Sequence, residues 1–366
     1  MARPASGVDR LGTLEKARFL ASGLAESSRV GLDRLKGWER PRFLMNVVTW
    51  RCNARCVMCN IPLRHDPKEE LGLDDYRHIL EDRRFWRDLR AMNITGGEPF
   101  LREDLPDLVA LFAESCPGLE RIAFSTNGML TDRVSSTVKE VLERVRVPID
   151  VTVSLDGVGE VHDRIRGVDG AFDRVMATVD ALLPLDEPGR FHLYGQCTLS
   201  QANIAGWREL EAYAAEKGFH VSPGISAFLD SYFDNADKEE ELGLTSEQML
   251  EVYDRPTARN HFIRRQVRER ERSLPCGCGA GSFELYPNGD VYLCYQTKPV
   301  GNALEQGITE AWTSPEAVKV RKAIGTRKMC GACFWSCDLA TAVKGDLGSL
   351  VRMGAAHIRA KLGPKT

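Results

Sequence analysis

Apolar and polar runs alternate along the chain from about Phe43 to about Ser226. The apolar run Phe43-Leu44-Met45-Asn46-Val47-Val48 opens the series. The pattern predicts strands over Leu44–Trp50, Leu89–Ile94, Arg121–Ser125, Ile149–Leu155, Phe191–Leu199 and His220–Ser226. Between them it predicts helices over Leu73–Arg84, Leu105–Ser115, Thr131–Arg144, Ala171–Leu183 and Ile204–Lys217. Strands alternating with helices imply right-handed parallel crossovers. Six such units predict an α/β fold, a partial (β/α)6 barrel short of the eight units of a closed one. Chemistry in such folds sits at the C-terminal ends of the strands.

The flanks read differently. Residues 1–42 carry scattered apolar positions (Leu14, Ala17, Phe19, Leu20, Leu24, Leu32) and are expected to form an N-terminal helical arm. Residues 43–226 are the barrel. Residues 227–273 are charged and are expected to be a helical linker or substrate-side insertion, their arginine run being a solvated helix face. Residues 274–341 form a small module in which Phe283-Glu284-Leu285-Tyr286 and Val291-Tyr292-Leu293 flank Asn288-Gly289, a hairpin signal. A helix is predicted over Ile308–Ile324. Residues 342–366 read as a basic amphipathic tail packed on the body.

Composition narrows the function classes. Hydrophobic residues make up 43% and charged residues 28%, the balance of an ordinary soluble globular protein. A net charge of −3 argues against a nucleic-acid partner, which calls for a basic surface. No apolar run reaches the ~18 residues of a membrane span. The stretch Met1–Asp9 lacks the apolar core of a secretory signal, so a cytoplasmic location is expected. Eleven cysteines in such a chain point to metal or catalysis before disulfides. Nine fall in two groups: Cys52, Cys56 and Cys59, then Cys276, Cys278, Cys294, Cys330, Cys333 and Cys337. Cys116 and Cys197 stand apart and read as core.

Cys52, Cys56 and Cys59 follow the first strand in a C-x3-C-x2-C spacing. Iron–sulfur clusters normally take four cysteines, so three on one loop leave a position open. C-x2-C pairs also bind zinc, which is the competing reading. After the second strand comes Asn93-Ile94-Thr95-Gly96-Gly97-Glu98-Pro99, where glycines admit a ligand to the backbone and a carboxylate can accept from an ammonium group. After the third come Ser125 and Asn127, whose hydroxyl and amide suit a sugar's hydroxyls. After the fourth come Ser154 and, beyond it, His162-Asp163-Arg164-Ile165-Arg166, where an arginine can hold a carboxylate.

Over residues 43–226 these motifs resemble the radical S-adenosylmethionine enzymes. The resemblance implies that Cys52, Cys56 and Cys59 bind a [4Fe-4S] cluster whose open iron takes S-adenosylmethionine. It implies contacts from Gly96, Gly97 and Glu98 to the methionyl amino group, from Ser125 and Asn127 near the ribose, and from Ser154 and Arg166 to ribose and carboxylate. Met58 stands where the family often has an aromatic residue near adenine, and its thioether can pack on a ring. One electron then cleaves the sulfonium, and the 5′-deoxyadenosyl radical removes a hydrogen atom from an unactivated carbon. A flavodoxin or ferredoxin would supply the electron.

Residues 276–337 resemble the SPASM and twitch auxiliary-cluster domains of that superfamily. Six cysteines stand where the full SPASM pattern has seven, which implies one auxiliary [4Fe-4S] cluster. The expected ligands are Cys278, Cys294, Cys330 and Cys333, with Cys276 alternative to Cys278 and Cys337 to Cys333. Cys276 and Cys337 are also the candidate spare thiols for hydrogen-atom donation in an epimerisation; an auxiliary cluster accepting an electron would instead complete an oxidation. The reaction expected is oxidation or epimerisation of a small hydroxylated molecule (sugar, cyclitol or nucleoside). Modification of a peptide or protein side chain is the alternative, and a non-catalytic iron–sulfur electron carrier is the third reading.

Overall fold

The computed structural model describes residues 40–63, 70–255, 258–270, 277–279, 281–324, 330 and 333. The N-terminal arm, the C-terminal tail, Cys276 and Cys337 lie outside the described residues. Six parallel strands follow the predicted series: β1 Phe43–Thr49, β2 Ala91–Gly96, β3 Arg121–Thr126, β4 Ile149–Ser154, β5 Phe191–Leu199 and β6 Val221–Ile225. Each pairs in parallel with the next. The strand order runs from β6 through to β1 without closing, so the sheet is an open partial barrel.

The strands are two-faced. In β5, Phe191, Leu193, Cys197 and Leu199 are buried while His192, Tyr194, Gln196 and Thr198 are only half-buried. The same alternation runs through β2 and β3, where Met92, Ile94, Ile122 and Phe124 are fully buried and Asn93, Thr95 and Ser125 are half-buried. Helices Leu105–Ser115, Thr131–Arg144 and Ala171–Leu182 bury the matching apolar sides, Val109 and Phe112, Val134 and Val138, and Val175 and Val179 among them. Each such aliphatic side chain contributes about 1.5–3 kcal/mol by leaving water. Parallel strands are usually apolar on both faces. A polar second face therefore marks the side on which a ligand cavity forms.

Three expectations are corrected. The stretch Leu73–Arg84 is two helices, Leu73–Ile79 and Arg83–Trp86, because Asp82 caps the second by accepting from the Phe85 N–H at 3.0 Å. The stretch Ile308–Ile324 breaks at Ser314 into Ile308–Thr313 and Pro315–Ala323, since Pro315 has no N–H with which to continue the first helix. Among the described residues of 227–273, α-helix is confined to Glu239–Leu242, Ser246–Val252 and Ala258–Glu269.

The hairpin forms as expected, with β7 Ser282–Leu285 and β8 Asp290–Tyr292 antiparallel across a turn in which Gly289 takes φ +86°. It joins the barrel sheet beside β1, and β9 Gly301–Asn302 follows at the far edge. Phe283 and Trp312 pack on Phe85 at centroid distances of 5.7 and 6.0 Å, a contact that holds the hairpin to the barrel. Two compact units result. One comprises Pro41–Gly243 with Phe283–Val318; the other takes Arg40 and the described residues within Leu244–Ser282 and Lys319–Thr366. No helix among the described residues is long and apolar enough to cross a membrane.

Candidate active site

The cysteine loop leaves β1 at Thr49 and is pinned from three sides. At its start, the Thr49 hydroxyl and the Trp50 N–H both donate to Glu70, at 2.7 and 2.8 Å. The end of β2 then passes directly against it: the Gly97 N–H donates to the Thr49 carbonyl and the Glu98 N–H to the Arg51 carbonyl, both at 2.8 Å. A Cβ on Gly96 would meet the Thr49 oxygen at 2.2 Å, and one on Gly97 the Arg51 oxygen at 2.2 Å. Gly96 also holds φ +139°. The glycine pair thus serves the chain's own close approach first, and both residues still face the cavity.

On the second side, the Arg55 and Val57 N–H groups donate to the Arg166 and Ile165 carbonyls, each at 2.9 Å. Gly167 permits this, because a Cβ there would lie 2.4 Å from the Arg55 oxygen. On the third side, the segment after β6 closes over the loop. Asn235 donates to the Met58 carbonyl at 2.6 Å, and Lys238 to the Val57 carbonyl and Asn60 side chain, both at 2.8 Å.

Cys52, Cys56 and Cys59 line one cavity of about 300 Å³. Met58, Gly96, Gly97, Ser125, Asn127, Ser154 and Arg166 line it too, so ten of the sequence-expected residues converge there. Glu98 stands behind the wall, fully buried. Its oxygens accept from the Thr126 hydroxyl at 2.8 Å, the Asn127 N–H at 2.7 Å and the Phe100 N–H at 3.2 Å, and so fix the turn that presents Asn127. Burial pushes the Glu98 carboxyl up to about 7, against those hydrogen bonds.

Several wall residues escaped the sequence reading. Thr95 and Thr198 occupy half-buried strand positions, a signal present in the alternation itself. Tyr232, Phe233 and Tyr295 come from segments with no periodic signal. Tyr232 packs on Trp50, Tyr286 and Tyr295 at 6.0, 5.8 and 5.4 Å. The Tyr232 hydroxyl also donates to the carbonyl of Gly96, the last residue of β2, at 3.4 Å.

The sulfurs receive N–H donors: Ala54 to Cys52 at 3.4 Å, the Asn127 amide to Cys52 at 3.9 Å, and Arg166 Nη1 to Cys56 at 3.6 Å. Burial, aided by the neighbouring sulfurs, pushes the Cys52 thiol up to about 11 and the Cys59 thiol up to about 12. Thiols so buried ionise when a metal replaces their protons. Among the described residues no three Cys, His, Asp or Glu side chains gather as around a single ion. A cubane places each thiolate on its own iron, a wider arrangement than one ion accepts. Three thiols on one cavity, N–H donors to two of them and no carboxylate or imidazole in the set fit a [4Fe-4S] cluster.

In the other unit, Cys278 and Cys330 are buried and Cys333 half-buried. Cys278 bridges to Ser282, and the Gly279 N–H donates to the Ser282 carbonyl at 2.9 Å. Gln266 donates to the Cys333 carbonyl. Cys294 belongs to the barrel unit, where its carbonyl accepts from the Thr297 N–H and hydroxyl. Cys116 and Cys197 are core residues, 1% and 0% exposed.

Comparison with known proteins agrees with this geometry. The model of the Radical SAM superfamily matches residues 46–186, and that of an iron–sulfur cluster-binding domain, SPASM, matches residues 276–338. An AdoMet-dependent heme synthase of Methanosarcina barkeri is 28% identical over 328 residues, 80% of this chain and 88% of that protein. The mycofactocin maturase MftC of Mycolicibacterium smegmatis is 28% identical over 316 residues, 81% of this chain and 76% of that protein. A probable GTP 3′,8-cyclase of Archaeoglobus fulgidus is 35% identical, but over 132 residues, 34% of this chain and 42% of that protein. Among solved structures, Streptococcus suis SuiB bound to its precursor peptide SuiA superposes with a TM-score of 0.59 at 15% identity, over 85% of this chain and 72% of that one.

Proposed function

Because the chain belongs to the radical S-adenosylmethionine superfamily and carries a SPASM iron–sulfur module, we propose that it is a radical enzyme acting on a side chain of a peptide or protein. The observation that carries the site is the convergence of Cys52, Cys56 and Cys59 with the ends of β2, β3 and β4 on one cavity. The cofactors of the family are a [4Fe-4S] cluster and S-adenosylmethionine, with auxiliary iron–sulfur in the SPASM module. When bound, they supply a one-electron cleavage whose radical product removes a hydrogen atom from carbon.

The chain's own residues hold and orient. Cys52, Cys56 and Cys59 supply three thiolates. Gly96 and Gly97 present backbone at the end of β2, Ser125 and Asn127 present polar groups at the end of β3, and Ser154 and Arg166 do so after β4. Glu98 positions Asn127 from behind. Met58, Tyr232 and Phe233 supply apolar surface that excludes water from a reactive centre.

Two points support a peptide over the sugar, cyclitol or nucleoside expected from the sequence. A maturase is among the relatives aligned over most of both chains. The shared fold is also one that holds a precursor peptide in SuiB, a fold-level analogy. The heme synthase relative keeps a small-molecule substrate as the second reading. Deuterium transfer decides between them. The reconstituted enzyme, reduced with S-adenosylmethionine, is offered deuterated peptides and deuterated sugars in parallel. Deuterium in 5′-deoxyadenosine from the peptides alone supports the proposal; transfer from a sugar alone overturns it.

A further inference from the structure

Arg166 is held as a bridge. Its Nη2 pairs with Asp156 at 2.6 Å, and its Nη1 donates to the sulfur of Cys56 at 3.6 Å. Both partners of the ion pair are buried, with side chains 9% and 0% exposed. A buried guanidinium needs a compensating charge, and Asp156 supplies it. Asp156 is itself fixed on three sides. Its carboxylate accepts from the Thr198 N–H at 2.8 Å, its N–H donates to His162 Nδ1 at 3.0 Å, and its carbonyl accepts from Asn203 at 2.9 Å. His162 is fully buried, and burial with the charge of Arg166 lowers its imidazole to about 3, so the ring is neutral and adds no second cation. A side chain meant only to clamp a mobile ligand would not need such a frame. A fork aimed at a thiolate sulfur does.

Resting on the radical-enzyme reading above, we infer that the Asp156–Arg166 pair is an electrostatic tuning device for the cluster held by Cys52, Cys56 and Cys59. Arg166 acts on Cys56, and Asp156 is the positioning residue behind it. Reduction adds negative charge to a cluster and its thiolates. A charged N–H donor on Cys56 stabilises that reduced form and raises the reduction potential. Asp156 partly cancels the guanidinium's field while fixing its direction. The pair therefore sets how readily an external one-electron donor loads the site.

The test is a redox titration of anaerobically reconstituted full-length protein without S-adenosylmethionine, so that cofactor binding does not enter. The reduced cluster is read by electron paramagnetic resonance. The signal belonging to Cys52, Cys56 and Cys59 is identified separately as the one that changes when S-adenosylmethionine is added. Arg166→Gln is expected to shift its midpoint to more negative potential. Asp156→Asn, which leaves the guanidinium uncompensated, is expected to shift it the other way. If Arg166→Gln does not hold the cluster, Arg166→Lys carries the test, with a smaller negative shift expected. If Asp156→Asn does not fold, the neutral pair Asp156→Asn/Arg166→Gln takes its place and must match Arg166→Gln in sign. An unchanged midpoint in the Arg166 variants, with only weaker S-adenosylmethionine binding, overturns the inference and leaves the radical-enzyme reading standing. A wild-type protein with no S-adenosylmethionine-responsive signal overturns both.

Discussion

Two turns in this chain close in the same way. The Cys59 N–H donates to the Cys56 carbonyl at 3.1 Å, and the Cys333 N–H donates to the Cys330 carbonyl at 3.1 Å. Their surroundings differ. Cys56 and Cys59 belong to a loop whose backbone is bonded to β2, to the end of helix Glu160–Arg166 and to the segment after β6, and its sulfurs look into a cavity walled by polar strand ends. At the second turn the Cys333 carbonyl accepts from Gln266, while Cys278 of the same unit bridges to Ser282. On the proposed function, the first turn serves the reactive site, to which the strand ends deliver polar groups, and the second serves the SPASM module.

Substitutions separate the two turns. The largest effect is expected from Cys52→Ala, which removes one of only three thiolates: 5′-deoxyadenosine formation should fall to background, with the fold intact by circular dichroism. Gly97→Ala should follow. Its Cβ would strike the Arg51 carbonyl, which the Glu98 N–H holds in place at the start of the cysteine loop, at a cost of about 1–3 kcal/mol. Melting temperature should drop by about 2–4 °C per kcal/mol, and iron should be lost from the loop site. Cys330→Ala should spare S-adenosylmethionine cleavage while lowering iron by about four atoms per chain, the content of one cubane, in metal analysis. Retention of all iron would remove Cys330 from the expected auxiliary ligands.

An effect confined to the pH dependence of stability belongs to Glu98. Its carboxyl is pushed up from 4.5 to about 7 by burial, so the folded protein keeps a proton that the unfolded chain releases. Stability of the metal-free protein should therefore fall as pH rises from about 4.5 to 7 and level off above it, by at most about 3 kcal/mol from this group. Glu98→Gln should remove that slope in urea titrations at pH 5 and pH 8. An unchanged slope would mean that another group carries it.

Much of this was legible in the chain. The six barrel strands follow from period and composition, and β5 has the expected bounds because Phe191 to Leu199 alternate without a break. Ten site residues were readable because each lies at a strand's C-terminal end or in the segment that follows it, where topology forces convergence. The helix breaks at Asp82 and Pro315 each rest on one residue, a cap and a missing N–H, within apolar runs that continue past them. Glu70, Asn235 and Lys238 had no such signal. Their partners Thr49, Met58 and Val57 lie up to 181 residues away in the chain, so only the fold brings them together. Glu98 was legible as a functional carboxylate, but its facing away from the cavity depends on the turn after β3 and could not be read from its motif.

On the proposed function, Cys52, Cys56 and Cys59 hold a cluster with a position open to S-adenosylmethionine. The most direct measurement is the electron paramagnetic resonance spectrum of the reduced, anaerobically purified protein before and after S-adenosylmethionine is added. A [4Fe-4S]+ signal that changes on addition, persists in Cys330→Ala and disappears in Cys56→Ala is predicted. Zinc in place of iron, or a signal indifferent to S-adenosylmethionine, would contradict it.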